Sequence, residues 1–139
     1  MKPEDHKLED LKIGDRASFE VSIDEKSQNV FAEMSGDYYP IHKDVDYAKS
    51  TSMGKPVVYG MYLGSLVSRL VGMNLPGKRS LIVDIHLSFP RPVYEGDTLV
   101  ISGEIAHVSK TTRLVTVNIK ISRMEEVCVL GQVNVMVLE

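Results

Sequence analysis

Val57-Val-Tyr-Gly-Met-Tyr-Leu-Gly-Ser-Leu-Val-Ser-Arg-Leu-Val-Gly-Met73 is apolar nearly all the way round when read at helical spacing, and Gly60, Gly64 and Ser68 line its i, i+4, i+8 row with small residues. A helix apolar on every side is a buried helix, so the rest of the chain has to supply its cover. Leu75-Pro-Gly77 stops it. Beyond that stop the chain reads as a series of strands rich in Val and Ile: Leu81 to Phe89, Thr98 to Val108, Arg113 to Ser122 and Val127 to Leu138, with Pro90 and Pro92 at a break and Gly96-Asp97 at a turn. One long buried helix followed by consecutive antiparallel strands reads as α+β, and the simplest packing wraps a curved sheet around the helix.

Upstream of the helix, Arg16 to Ile23 alternates apolar and polar residues like a half-buried strand, opened by a turn at Gly14-Asp15. Asp24 is placed to cap a helix running through Met34, in which Val30, Phe31 and Met34 form one apolar stripe, and Gly36 ends it. A short helical turn is expected over Asp44 to Lys49 before Gly54-Lys-Pro56 breaks the chain. There is no internal repeat, low-complexity tract or linker, so residues 1–139 read as one domain with a flexible polar terminus over residues 1–10.

Composition narrows the function. A chain of 139 residues with 43% hydrophobic and 25% charged content can bury a real core. A net charge of -3, with basic residues scattered, leaves no electrostatic footprint for nucleic acid. The charged start Met1-Lys-Pro-Glu-Asp-His-Lys7 is not a signal peptide, and no later run is long and uncharged enough to span a bilayer, so a cytoplasmic protein with no membrane partner is expected. Cys128 lies in the apolar stretch Val127-Cys-Val-Leu130 with no base beside it, which reads as a buried small hydrophobe. Four scattered histidines without Cys or carboxylate partners at ligand spacing predict no metal site.

Chemistry concentrates in Phe31-Ala-Glu-Met-Ser-Gly-Asp-Tyr-Tyr-Pro-Ile-His42. Pro40 cannot continue a helix and pushes Tyr39 toward extended geometry, so Asp37 and His42 are expected on a turn after a helix. A carboxylate and an imidazole that share one water or one substrate proton make a general acid/base pair. Spacing alone does not separate that pair from a solvated turn.

Context does. The segment Phe31 to Lys49, the stretch Pro56-Val-Val-Tyr-Gly-Met61, the exit Leu75-Pro-Gly-Lys78 and the phrase Phe89-Pro-Arg-Pro-Val-Tyr-Glu-Gly-Asp-Thr98, in order over about four fifths of the chain, resemble the MaoC-like, hydratase 2 type (R)-specific enoyl-thioester hydratases and dehydratases. The family's hallmark, roughly Gly-Asp-x-Asn-Pro-(Leu/Ile)-His and later His-Gly-Met, is similar to Gly36-Asp-Tyr-Tyr-Pro-Ile-His42 and Tyr59-Gly-Met61. The resemblance implies a hot dog fold, homodimeric or larger assembly, and a lyase that adds or removes water at the 2,3-position of an acyl thioester. The acyl group would ride on coenzyme A or on the pantetheine of an acyl carrier protein, with no cofactor of the protein's own. It also implies Asp37 and His42 as the catalytic dyad, the Gly60 N–H as oxyanion donor, and Ser68, Tyr39, Tyr59, Pro40 and Met61 as pocket or supporting residues. A thioesterase on the same fold and a non-catalytic acyl-thioester-binding or structural subunit are the alternatives.

This chain departs from the pattern at three places: Tyr39 stands for the usual Asn, Tyr59 for the usual His, and Ile85 for the usual Gln. A tyrosine offers one hydroxyl at the end of a rigid ring where Asn offers two donors and an acceptor at short reach, so the pocket has been rebuilt. Aromatic walls predict a short or polar acyl group. Lys55, Lys78, Arg79 and Arg91 flank loops within reach of a carrier phosphate, though each alone reads as solvated charge, and His6, His86 and His107 read as ordinary surface or strand histidines.

Overall fold

The computed structural model describes residues 1–139. Its long helix starts at Gly60 instead of Val57, because residues 57 and 58 are drawn out of helical geometry: Val57 bridges Tyr94, and the Val58 N–H donates to the Val93 carbonyl at 2.7 Å. In order, the elements are a 3-10 turn (Leu8–Asp10), β1 (Arg16–Ser22), α1 (Glu25–Ser35), α2 (Pro40–Lys43), α3 (Val45–Lys49), α4 (Gly60–Met73), β2 (Ser80–Ser88), β3 (Thr98–Val108), β4 (Leu114–Arg123) and β5 (Glu126–Val137). The five strands form one antiparallel sheet in the order β1-β3-β4-β5-β2. This is the α+β layering expected.

Alternation along the strands decides which side α4 covers. Leu99, Ile101 and Ile105 on β3, Val115, Val117, Ile119 and Ile121 on β4, and Val129, Val133, Val135 and Val137 on β5 are buried on one face, where they meet Leu63, Leu66, Val67, Leu70 and Val71 of α4. Each such side chain contributes roughly 1.5–3 kcal/mol by leaving water. The helix lies close because β3 offers no side chain at Gly103: a Cβ there would sit 2.7 Å from a Leu70 methyl carbon. Cys128 is buried in this core, as expected, and burial pushes its thiol pKa up, which keeps it an unreactive hydrophobe.

Three expectations need correcting. The helix is covered on one side only, since Met61, Ser65 and Ser68 are exposed within the chain. On α1 the stripe of Val30, Phe31 and Met34 does not enter the core: Val30 and Met34 are 56% and 74% exposed, Phe31 is half-buried, and the face turned inward carries Gln28 and Ala32. The stripe instead lines a groove of about 420 Å³ between α1 and α4. Residues 1–10 are not a loose terminus. Leu8 and Leu11 are buried, the Glu4 N–H donates to Met73, the Lys78 N–H donates back to Glu4, and Asp5 pairs with both Lys78 and Arg79.

The outer strand β2 differs from the others. Leu81, Ile82, Val83 and Ile85 are all exposed on it, and its far edge is unpaired. No helix of the structure is long and apolar enough to cross a membrane.

Candidate active site

Local signals bring the loop to its place. Asp24 caps α1 by accepting the Ser27 N–H at 2.8 Å, and Gly36 closes it in the left-handed region at φ 73°, so the chain leaves the helix sharply at Asp37. The Asp37 N–H donates to Ser35 Oγ, and Asp37 Oδ1 accepts the Tyr39 N–H at 3.0 Å. This self-bonded turn holds one carboxylate oxygen and leaves the other unbonded in an exposed position.

Pro40 does more than break a helix, which corrects the expectation of a simple turn. It occupies the first position of α2, where a missing N–H costs nothing, and α2 presents His42 on a single helical turn. The His42 ring is half-buried with Nδ1 2.7 Å from the Val57 carbonyl. A carbonyl only accepts, so Nδ1 carries a proton, and Nε2 of the neutral ring keeps its lone pair as an acceptor.

Tyr59 ties the two together. Its ring is stacked on His42 at 4.0 Å between centroids and 26° between planes, and its hydroxyl donates to the Asp37 carbonyl at 2.6 Å. Only 1% of Tyr59 is exposed, and burial, then the charge of Asp37, raises its phenol pKa, so it remains a donor. The Phe31 ring packs against Tyr59 at 4.8 Å. Tyr39 meets the His42 ring edge-on at 5.6 Å and Tyr47 at 6.3 Å, and the neighbouring Tyr47 hydroxyl raises the Tyr39 pKa.

Gly60 is the first residue of α4, and its N–H has no partner in the chain. It lies at the positive end of a 14-residue helix. Thus Asp37, Tyr39, Pro40, His42, Tyr59 and Gly60 form one neighbourhood. Met61 is 64% exposed beside it, with its terminal methyl near Gly64. Ser68 stands apart, exposed two turns along α4 and without a hydrogen bond to Asp37 or His42.

Reading the sequence missed Gln28. It is fully buried on α1, its Oε1 accepts the Tyr59 N–H at 3.2 Å, and its Nε2 donates to the Val57 carbonyl at 3.4 Å. The available signal was its spacing of four from Ala32, which shares its helix face; polar neighbours Ser27 and Asn29 hid it. The loop cations already have partners. Lys78 and Arg79 hold Asp5, Lys55 lies 4.6 Å over the Tyr94 ring, and Arg91 donates to the Val127 carbonyl at 2.8 Å. His86 and His107 are exposed on strands, and no three His, Cys, Asp or Glu side chains cluster as a metal would require.

The geometry can be set beside known proteins. Residues 10–127 match the model of the MaoC like domain. The (R)-specific enoyl-CoA hydratase of Aeromonas caviae is 33% identical over 80% of this chain and 83% of its own length, and that of Rhodospirillum rubrum is 31% identical over 95% and 92%. The 3-hydroxybutyryl-CoA dehydratase of Methylorubrum extorquens is 30% identical over 94% of this chain and 83% of its own. In structure, the A. caviae (R)-hydratase superposes with a TM-score of 0.87 at 31% identity, covering 91% of this chain and 97% of that one. An unliganded R-hydratase from Pseudomonas aeruginosa gives 0.88 at 29% identity, covering 95% and 85%. The sheet wrapped on one helix is therefore the hot dog fold, and the chain belongs to the MaoC-like domain family.

Proposed function

We propose that this chain is a hydratase/dehydratase that interconverts trans-2-enoyl and (R)-3-hydroxyacyl thioesters carried on coenzyme A or on a carrier protein. The observation that carries the reading is the fixed tautomer of His42. With Nδ1–H donated to Val57, Nε2 can only accept, and the unbonded oxygen of Asp37 is a second acceptor in the same neighbourhood. Two acceptors suit one water molecule. As the water oxygen bonds to C3 of the enoyl group, the dyad takes one of its protons and returns a proton to C2, ending as it began. Negative charge grows meanwhile on the thioester oxygen, where the unpartnered Gly60 N–H and the α4 dipole are the available stabilisers. Acid–base chemistry of this kind calls for no electron acceptor, and we propose no cofactor beyond the thioester's own carrier.

Tyr39 standing edge-on to His42, with Tyr47 edge-on to Tyr39 behind it, supports a short or polar acyl group. Ser68, two turns along α4, and Met61, exposed next to Gly60, fit the pocket's outer wall better than its proton chemistry. The open β2 edge supports a homodimer, because an exposed apolar strand with no Pro or Lys on it is a surface that a second copy covers. Val83→Lys should then sediment as a monomer where the wild type does not.

Incubation with a crotonyl thioester and with a saturated thioester tests the central claim. Loss of enoyl absorbance only with the first is the expected result; free thiol released from both would make the protein a thioesterase instead. Hydration rates across acyl lengths test the pocket, and a preference for long saturated chains would count against the tyrosine wall.

A further inference from the structure

We infer that Gln28 is a positioning residue for the dyad, holding the His42 carbonyl partner and the oxyanion amide in one rigid frame; this deepens the hydratase reading and rests on it. The side chain is fully buried, and both ends of its amide are used. Its oxygen takes the Tyr59 N–H and its nitrogen gives to the Val57 carbonyl, which orients the amide unambiguously, since an N–H and a carbonyl cannot exchange roles.

The two backbone groups that Gln28 grips matter for what lies beside them. The Val57 carbonyl is the acceptor that fixes the His42 tautomer. Tyr59 carries the ring beneath His42, the hydroxyl on Asp37 and the peptide whose N–H belongs to Gly60. One side chain from α1 therefore sets the spacing of proton acceptor and oxyanion donor, through residues 57–60, without facing the substrate. Loss of the amide should then loosen the Val57 carbonyl and with it the Nδ1–H bond that fixes the His42 tautomer.

The test is Gln28→Met, which keeps the volume and removes both hydrogen bonds, together with Gln28→Glu, which keeps an acceptor for Tyr59. A misplacement of about 1 Å caused by a residue away from the chemistry can cost about 100-fold. We expect kcat of Gln28→Met to fall by about tenfold or more with KM little changed, and Gln28→Glu to fall less. The ring-nitrogen NMR shifts of His42 in the free protein provide a readout independent of turnover. The Nδ1–H tautomer should lose population in Gln28→Met. An unchanged tautomer and unchanged kcat, with only a lowered Tm, would make Gln28 a structural residue and overturn the proposal. If the wild type hydrates no enoyl thioester, the functional reading fails, while the NMR measurement still decides whether Gln28 positions His42.

Discussion

The two ends of the molecule that α4 joins are built on opposite principles. Along its middle and C-terminal turns, Leu63, Val67 and Leu70 press on Ile101, Ile105, Val117 and Ile119, and nothing polar intervenes. At its N-terminus, residues 57–60 bury Val58 in the core but add directed hydrogen bonds and ring contacts, from Gln28, His42, Asp37 and the Val93 backbone. Apolar packing is non-directional and fixes distances loosely, whereas an amide or imidazole bond fixes an angle as well. The chain therefore places stability in the first region and orientation in the second.

That contrast can be broken by experiment. The largest effect belongs to the polar end: Asp37→Asn should lower kcat by about 10³- to 10⁴-fold, roughly 4–5 kcal/mol of barrier, with Tm within a few degrees of wild type. A matching fall in Tm would show that the site also carries the fold. Next comes Gly60→Pro. The first helical position tolerates proline, and Tyr59 already has the extended ψ of 129° that a following proline demands, so α4 should form with its leading N–H deleted. The expected cost is about 3–4 kcal/mol in kcat/KM, and full retention of rate would remove Gly60 from the oxyanion role.

Leu70→Ala addresses the apolar end. It is fully buried against the sheet, and the cavity should cost about 3 kcal/mol in urea unfolding while kcat of the folded fraction stays near wild type. The smallest effect concerns the N-terminal strap. Arg79 first, then Lys78, holds the Asp5 carboxyl at about 2, below its usual 3.8. A depressed folded-state pKa stabilises above the unfolded value and is lost as pH falls through the folded one. Wild type and Asp5→Asn should thus differ slightly in Tm above pH 4 and converge toward pH 2; a gap that persists at pH 2 would rule out this pair as its source.

Periodicity was enough for the apolar region and not for the polar one. Alternating Val and Ile in residues 98–137 and the apolarity of residues 60–73 announce the two layers, because apolar side chains between helix and sheet leave water, although all-round apolarity overstated the cover of α4, where Met61 stays exposed. The Asp37, His42 and Gly60 neighbourhood was legible through its motif, although motif and spacing could not show that Pro40 begins a helix or that Tyr59 stacks on His42. Gln28 was illegible because a buried polar residue is defined by partners distant in sequence, here 29 and 31 residues on. The stripe of Val30 and Met34 misled for a related reason. Apolar periodicity identifies a face that avoids water, without saying whether the same chain covers it.

The strap over residues 4–11 also constrains the order of events during synthesis. It rests on Met73 to Lys78, and β1 pairs with a strand that begins at Thr98, so the strap has nothing to dock on until α4 has emerged and β1 nothing to pair with until β3 has. The sheet must then close in a late, long-range step, and ribosome-bound fragments ending before β3 should remain open to protease at residues 16–22.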